Sequence, residues 1–244
     1  MFSATQTGLS VVKRIQRHSG GVIKMLWDPA SQWLFSSSVD GLICCWDFGG
    51  ATGDVFDLRA HQCSVNALLL IGNSTNRKLL SCGDDGALLI WKMDDDTLKK
   101  RKQVSKWLES DNCQLCGIPF FWNLREVWQR GTNWIKTRQT DESNGLPIAR
   151  QHHCRKCGKA VCGKCSSSTS TLPFHGFELP VRVCSDCAKS ITSEELTPLC
   201  TPKPFSLGHS VIYMDIKYPN EVLSVGRDRA VKLWDISSLQ TSNR

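Results

Sequence analysis

Four Cys-x-x-Cys pairs in one stretch constrain this chain more than anything else in it: Cys113/Cys116, Cys154/Cys157, Cys162/Cys165 and Cys184/Cys187. Each pair puts two soft ligands on one tight turn. A tetrahedral metal needs four, so pairs distant in sequence must be gathered by folding. Eight thiols in this pattern suit two Zn2+ ions, which couples folding to metal binding. The gaps between pairs are 37, 4 and 18 residues, and the shortest is too tight for both its neighbours to wrap one ion comfortably. An interleaved arrangement relieves this, with Cys113, Cys116, Cys162 and Cys165 on one zinc and Cys154, Cys157, Cys184 and Cys187 on the other. A disulfide framework is the alternative, but no apolar secretory segment opens the chain, which favours a reducing compartment. The remaining cysteines, Cys44, Cys45, Cys63, Cys82 and Cys200, mostly sit in apolar or strand-like runs and read as small buried residues.

The net charge of +7 is modest but concentrated. Lys99, Lys100, Arg101, Lys102 and Lys106 precede the first cysteine pair, and Arg150, Arg155, Lys156, Lys159 and Lys164 surround the middle pairs. That distribution favours an anionic partner: a membrane surface, a phosphorylated ligand or nucleic acid. The longest apolar runs, Ala67 to Ile71 among them, are far too short to span a bilayer, so membrane contact would be peripheral.

The cysteine segment interrupts a repeat. Ser-x3-Asp-x5-Trp occurs as Ser36, Asp40, Trp46, as Ser81, Asp85, Trp91, and as Ser224, Asp228, Trp234, with His18, His61 and His209 preceding each set. Trp46 and Trp91 are 45 residues apart and Trp91 and Trp234 143 apart, which leaves an insertion of about a hundred residues. Repeat one reads as strands Val22–Trp27, Trp33–Ser38, Leu42–Trp46 and Val55–Leu58. Asp40-Gly41 and Asp85-Gly86 favour tight hairpin turns, and Asp228-Arg229 is the weaker equivalent. The pattern resembles the WD-repeat family, which implies radial blades of four strands with the His, Ser, Asp and Trp in a structural hydrogen-bond network. A His/Asp/Ser hydrolytic triad is the rival reading, but a catalytic set is needed once and this one recurs three times.

Arg150, Gln151, His152, His153, Cys154, Arg155, Lys156, Cys157 and Gly158, followed by Arg182, Val183 and Cys184, make the cysteine segment resemble the FYVE fingers. That resemblance implies recognition of phosphatidylinositol 3-phosphate by Arg150, Gln151, His152, His153, Arg155 and Arg182, with Gln151 in place of a second basic residue. It also implies bilayer insertion by Leu146, Pro147 and Ile148. Guanidinium forks suit a phosphate, and two histidines would strengthen binding in mildly acidic conditions. Phe120, Phe121, Trp122 and Trp128 are expected in the core. The Trp-x-x-Asp start is only partly kept, with Trp107 present and Asp111 one place late.

Together these parts resemble the WD-repeat and FYVE-domain-containing proteins. The expected fold class is multidomain: a partial all-β propeller of three repeats interrupted by a small two-zinc finger. Two repeats fill 11–98, a basic linker 99–106, the finger 107–192, a second linker 193–206 and an incomplete final repeat 207–239. The resemblance implies a non-enzymatic adaptor on the cytosolic face of early endosomes, with protein partners on its repeats and no nucleic acid. A RING-like ubiquitin ligase and a zinc-dependent nucleic-acid binder are the alternatives. The first would usually use a histidine ligand, and the second lacks a recognition helix. Three repeats do not close a ring, so the chain is expected to be the C-terminal part of a longer protein or a shortened form. Its repeats would then be poorly ordered when made alone.

Overall fold

The computed structural model describes residues 14–49, 55–73, 75–102, 105–123, 125, 149–201, 204–218 and 220–240. In chain order, β1 (Val22–Asp28), β2 (Trp33–Ser38), β3 (Ile43–Asp47) and β4 (Val55–Leu58) form one antiparallel sheet. β5 (Val65–Ile71), β6 (Lys78–Gly83) and β7 (Ala87–Lys92) begin a second, and α1 (Asp95–Lys100) follows, capped by Asp94 accepting from the Thr97 N–H. The cysteine segment holds β8 (His152–His153), β9 (Ala160–Val161), β10 (Thr169–Leu172), β11 (Phe177–Arg182) and α2 (Ser185–Ser190). β12 (Phe205–Ser206), β13 (Val211–Tyr218), β14 (Glu221–Gly226), β15 (Val231–Asp235) and α3 (Ser237–Gln240) end the described chain.

The second sheet is completed from far away. Its strand order is β12-β7-β6-β5, with Phe205 opposite Leu88 and Ser206 opposite Ala87. β12 therefore lies inside the stretch 193–206 that the sequence reads as a linker, and the finger is inserted between the third and fourth strands of one sheet. The third sheet, β13-β14-β15, has three strands.

Strand periodicity explains how the sheets stack. Alternate residues of β6 and β7 point to opposite faces, so Leu79, Leu89 and Trp91 meet Phe35, Ile43, Cys45 and Leu58 of the first sheet. Leu80, Cys82, Leu88 and Ile90 instead meet Val211, Met214, Val222 and Ile236 at the third. The middle sheet is thus apolar on both faces. Its neighbours are not: Val22, Ile23, Met25 and Trp27 of β1 and Ile212, Tyr213, Ile216, Val231 and Leu233 of the third sheet are exposed.

One polar relay recurs in all three sheets. Trp46, Trp91 and Trp234 each donate Nε1–H to Ser36, Ser81 and Ser224 at 2.8 Å. The same hydroxyls lie 2.8, 2.7 and 2.9 Å from Nε2 of His18, His61 and His209. The opposite ring nitrogens face Asp40, Asp85 and Asp228 at 3.6, 3.3 and 3.1 Å. One tautomer satisfies every group: Nδ1–H donates to the aspartate, Nε2 accepts from the serine hydroxyl, and the serine oxygen accepts from tryptophan. At the weaker turn, Arg229 takes the left-handed φ of 64° that glycine fills in the other two repeats.

Candidate metal centres and anion-binding face

The finger has little regular structure, and its turns carry the ligands. Gly117 and Gly158 donate their N–H groups back to the Cys113 and Cys154 carbonyls at 2.8 and 2.9 Å, closing a knuckle over each of the first two pairs. The third pair rides a 3-10 turn over Lys164–Ser166, and the fourth sits at the start of α2 with Cys184 at its N-cap. These turns bring Cys113, Cys116, Cys162 and Cys165 into one group and Cys154, Cys157, Cys184 and Cys187 into another, each with sulfurs within 4.8 Å of one another. A shared tetrahedral ion fits that spacing. Backbone N–H groups of Cys162 and Cys184 point at Cys113 Sγ and Cys154 Sγ, both at 3.3 Å. Burial alone would raise these two thiols, but the converging N–H donors bring each down to about 7, toward the thiolate a metal needs. Both are four-cysteine zinc sites of the structural kind, with every ligand position filled by protein.

Beside the second group lies a positively charged face. The Arg155 N–H donates to the Arg182 carbonyl at 3.0 Å, which ties the second knuckle to the end of β11. Arg155 Nη1 donates to the His153 carbonyl at 3.1 Å, and Arg182 Nη1 to the Ser166 carbonyl at 2.6 Å, so both guanidiniums are oriented. Trp107 stacks on the His153 ring at 4.6 Å, and the Arg155 guanidinium lies 4.7 Å from the Trp107 ring. The His152 pKa is lowered, first by burial and then by Arg182, Arg150 and Arg155.

Family models match this chain in two places: the FYVE zinc finger at residues 104–193 and the WD domain, G-beta repeat, at 9–47 and 53–92. WD repeat and FYVE domain-containing protein 1 of Mus musculus is 38% identical over 239 residues, covering 97% of this chain and 53% of that protein. The Homo sapiens WD repeat and FYVE domain-containing protein 2 is 40% identical over 233 residues, covering 95% and 53%. The chain belongs to the WD-repeat and FYVE domain-containing family. It spans about half the length of these relatives. A FYVE domain from Leishmania major covers 40% of this chain and 84% of its own at 26% identity, with a TM-score of 0.24, too slight to carry weight.

Against that family pattern, some expected residues gather and others do not. His152, His153, Arg155 and Arg182 share the charged face; Gln151 turns its amide to the Ser110 carbonyl at 3.4 Å, and Arg150 is exposed. Leu146, Pro147, Ile148 and Trp128 lie outside the described residues. Phe120 is fully buried, whereas Phe121 and Trp122, expected in the core, are 56% and 39% exposed because only Phe120 faces the cysteine cluster. Cys44, Cys45 and Cys82 are buried, but Cys63 is exposed and Cys200 half-buried, since both lie in connections rather than strands.

The basic run before the finger, expected to favour an anionic partner, is in part engaged within the protein. Arg101 is buried, Lys100 pairs with Glu194 at 3.0 Å, and Lys102 pairs with Glu195 at 3.0 Å. Lys156 from the second knuckle also reaches Glu195, at 2.8 Å. These cations clamp the two arms of the insertion together. No motif marks Arg59, between β4 and β5, yet it bridges to Phe177 of the finger.

Proposed function

We propose that this protein is a peripheral membrane adaptor whose finger binds phosphatidylinositol 3-phosphate on the cytosolic face of early endosomes. Arg150, Gln151, His152, His153, Arg155 and Arg182 contact the headgroup, and Leu146, Pro147 and Ile148 enter the bilayer. Burying two such aliphatic side chains adds about 3 kcal/mol. The repeat sheets form a partial propeller whose surface engages protein partners, with the finger over 107–192 inserted ahead of the strand Phe205–Ser206 that completes the second sheet.

The observation that carries the reading is the pairing of Arg155 with Arg182, tied through the Arg155 N–H and the Arg182 carbonyl and with both guanidiniums oriented, beside a zinc-braced knuckle. Like charges held together by a rigid frame are relieved by a compact multiply charged anion, and planar forks suit its phosphate oxygens. Vesicle sedimentation tests it. The zinc-loaded chain should bind vesicles containing phosphatidylinositol 3-phosphate and largely ignore phosphatidylserine at physiological salt. Arg155→Ala or Arg182→Ala should remove most binding; equal affinity for the two lipids would refute the proposal.

A further inference from the structure

The repeat sheets supply a cation of their own to this face. The buried Asp57 carboxylate is reached by two arginines. Arg17 forms a complete fork, with Nε at 3.0 Å from Oδ1 and Nη2 at 2.9 Å from Oδ2. Arg59 adds a further contact, Nη2 to Oδ2 at 2.7 Å. One fork satisfies one carboxylate. The trio therefore carries a surplus positive charge, and the Arg59 side chain is 45% exposed.

Arg59 is also where the first sheet is stitched to the finger. Its N–H donates to the Gly176 carbonyl at 2.8 Å, and its carbonyl accepts from Glu178 at 3.2 Å. The approach is so close that a Cβ on Gly176 would stand 1.9 Å from the Asp57 carbonyl oxygen, and the φ of +87° there also requires glycine. The Arg59 guanidinium lies 5.6 Å from the Phe177 ring. Phe177 opens β11, Arg182 closes it, and Arg155 is hydrogen-bonded to Arg182. A single strand thus fixes Arg59 relative to both finger arginines. Burial first, and then the nearby Arg59 charge, lower the Arg155 pKa.

We infer that Arg59 is a further binding residue of the anion site, so that the headgroup is held by a composite of finger and repeat sheet. This rests on the reading of the finger given above. The ligand chemistry is an inositol ring with a 3-phosphate, whether in a lipid or free in solution. In the free protein three guanidiniums repel one another, and a phosphate dianion bound among them replaces that repulsion with attraction. The Arg59 donors not engaged with Asp57 remain to meet it.

The test uses the full zinc-loaded chain, phosphatidylcholine vesicles with and without phosphatidylinositol 3-phosphate, and soluble inositol 1,3-bisphosphate. Arg59→Gln should weaken binding to both the vesicles and the soluble headgroup about fivefold and make it less salt-dependent. Arg59→Lys should recover most of the loss, and the melting temperature should hold because Arg17 still pairs Asp57. Loss on vesicles without loss for the soluble headgroup would place Arg59 against the bilayer instead and overturn the inference. So would unchanged binding by Arg59→Gln while Arg155→Ala loses it, or a loss that tracks a lowered melting temperature and is not recovered by lysine. If the unaltered chain fails to prefer phosphatidylinositol 3-phosphate vesicles, it is the finger reading itself that falls.

Discussion

In the finger, four of the ten residues of the buried cluster are cysteines, and β8 and β9 are only two residues long. In the middle sheet, strands of six and seven residues bury leucine, isoleucine and tryptophan on both faces around a polar relay. One region has too little apolar surface to fold without an inorganic centre, and the other has enough to need none. The contrast shows that the two halves of this chain answer to different perturbations even though they share a strand-to-strand seam at Arg59.

Metal removal should separate them most sharply. A chelator, or Cys154→Ser, should strip protection from residues 149–191 in hydrogen exchange while β5, β6 and β7 stay protected. Binding of structural zinc is worth roughly 10 kcal/mol or more, so the finger should unfold outright. Simultaneous loss of protection at Leu79 and Trp91 would show the two regions to be one cooperative unit.

Apolar truncation should act in the reverse sense. Leu79 is fully buried between two sheets, so Leu79→Ala should cost about 2 to 5 kcal/mol in urea unfolding with zinc content unchanged at two per chain. Leu233, 49% exposed, should cost under about 0.5 kcal/mol on the same change. Equal effects would mean that the third sheet is covered in solution.

The relay predicts a smaller step. Ser81→Ala leaves Trp91 Nε1 and His61 Nε2 without the hydroxyl they share, at a cost of about 1 to 3 kcal/mol. Ser224→Ala should cost less, because Trp234 is half-buried where Trp91 is fully buried and water can replace the lost bond. Reversed ranking in urea midpoints would detach the relay from stability.

The smallest effect belongs to the clamp between the arms. Hydrogen bonding to Lys156 outweighs burial and, with help from Lys102, holds the Glu195 carboxyl at about 2, below its ordinary 4.5. The depressed value means the clamp is stabilising above pH 4.5 and lost as pH falls toward 2. Glu195→Gln should therefore unfold at slightly higher pH than the unaltered chain on acidification, and be less stable at neutral pH by under about 1 kcal/mol. Superimposable acid curves would exclude a role for this pair.

What could be read from the sequence was local. Cysteine spacing, the Asp-Gly turns and the recurring His, Ser, Asp and Trp each act over a few residues, and Trp33–Ser38 and Val55–Leu58 appear where alternation places them. What could not be read depends on pairing at a distance. Phe205–Ser206 is too short to declare itself a strand and becomes one only against β7. Arg101 and Arg59 look like surface cations, and nothing near them in sequence announces a buried seam or the finger's β11. Arg229 is the local exception that the repeat register does mark, since Asp228-Arg229 stands where the other two turns carry Asp-Gly.

The position of the insertion has one more consequence, for the order in which the parts assemble. For the middle sheet, everything between Lys92 and Phe205 is a loop that must close before the outer strand can pair. Closure entropy grows as the logarithm of loop length, so roughly a hundred floppy residues cost about 2 kcal/mol more than roughly fifteen. Once zinc has set the finger, its arms already lie together: Lys102 bonds the Phe174 carbonyl at 2.8 Å, and Lys92 bonds the Leu199 carbonyl at 2.8 Å. The metal thus shortens the loop that a distant sheet experiences, and a cell short of zinc would leave that sheet with an open edge.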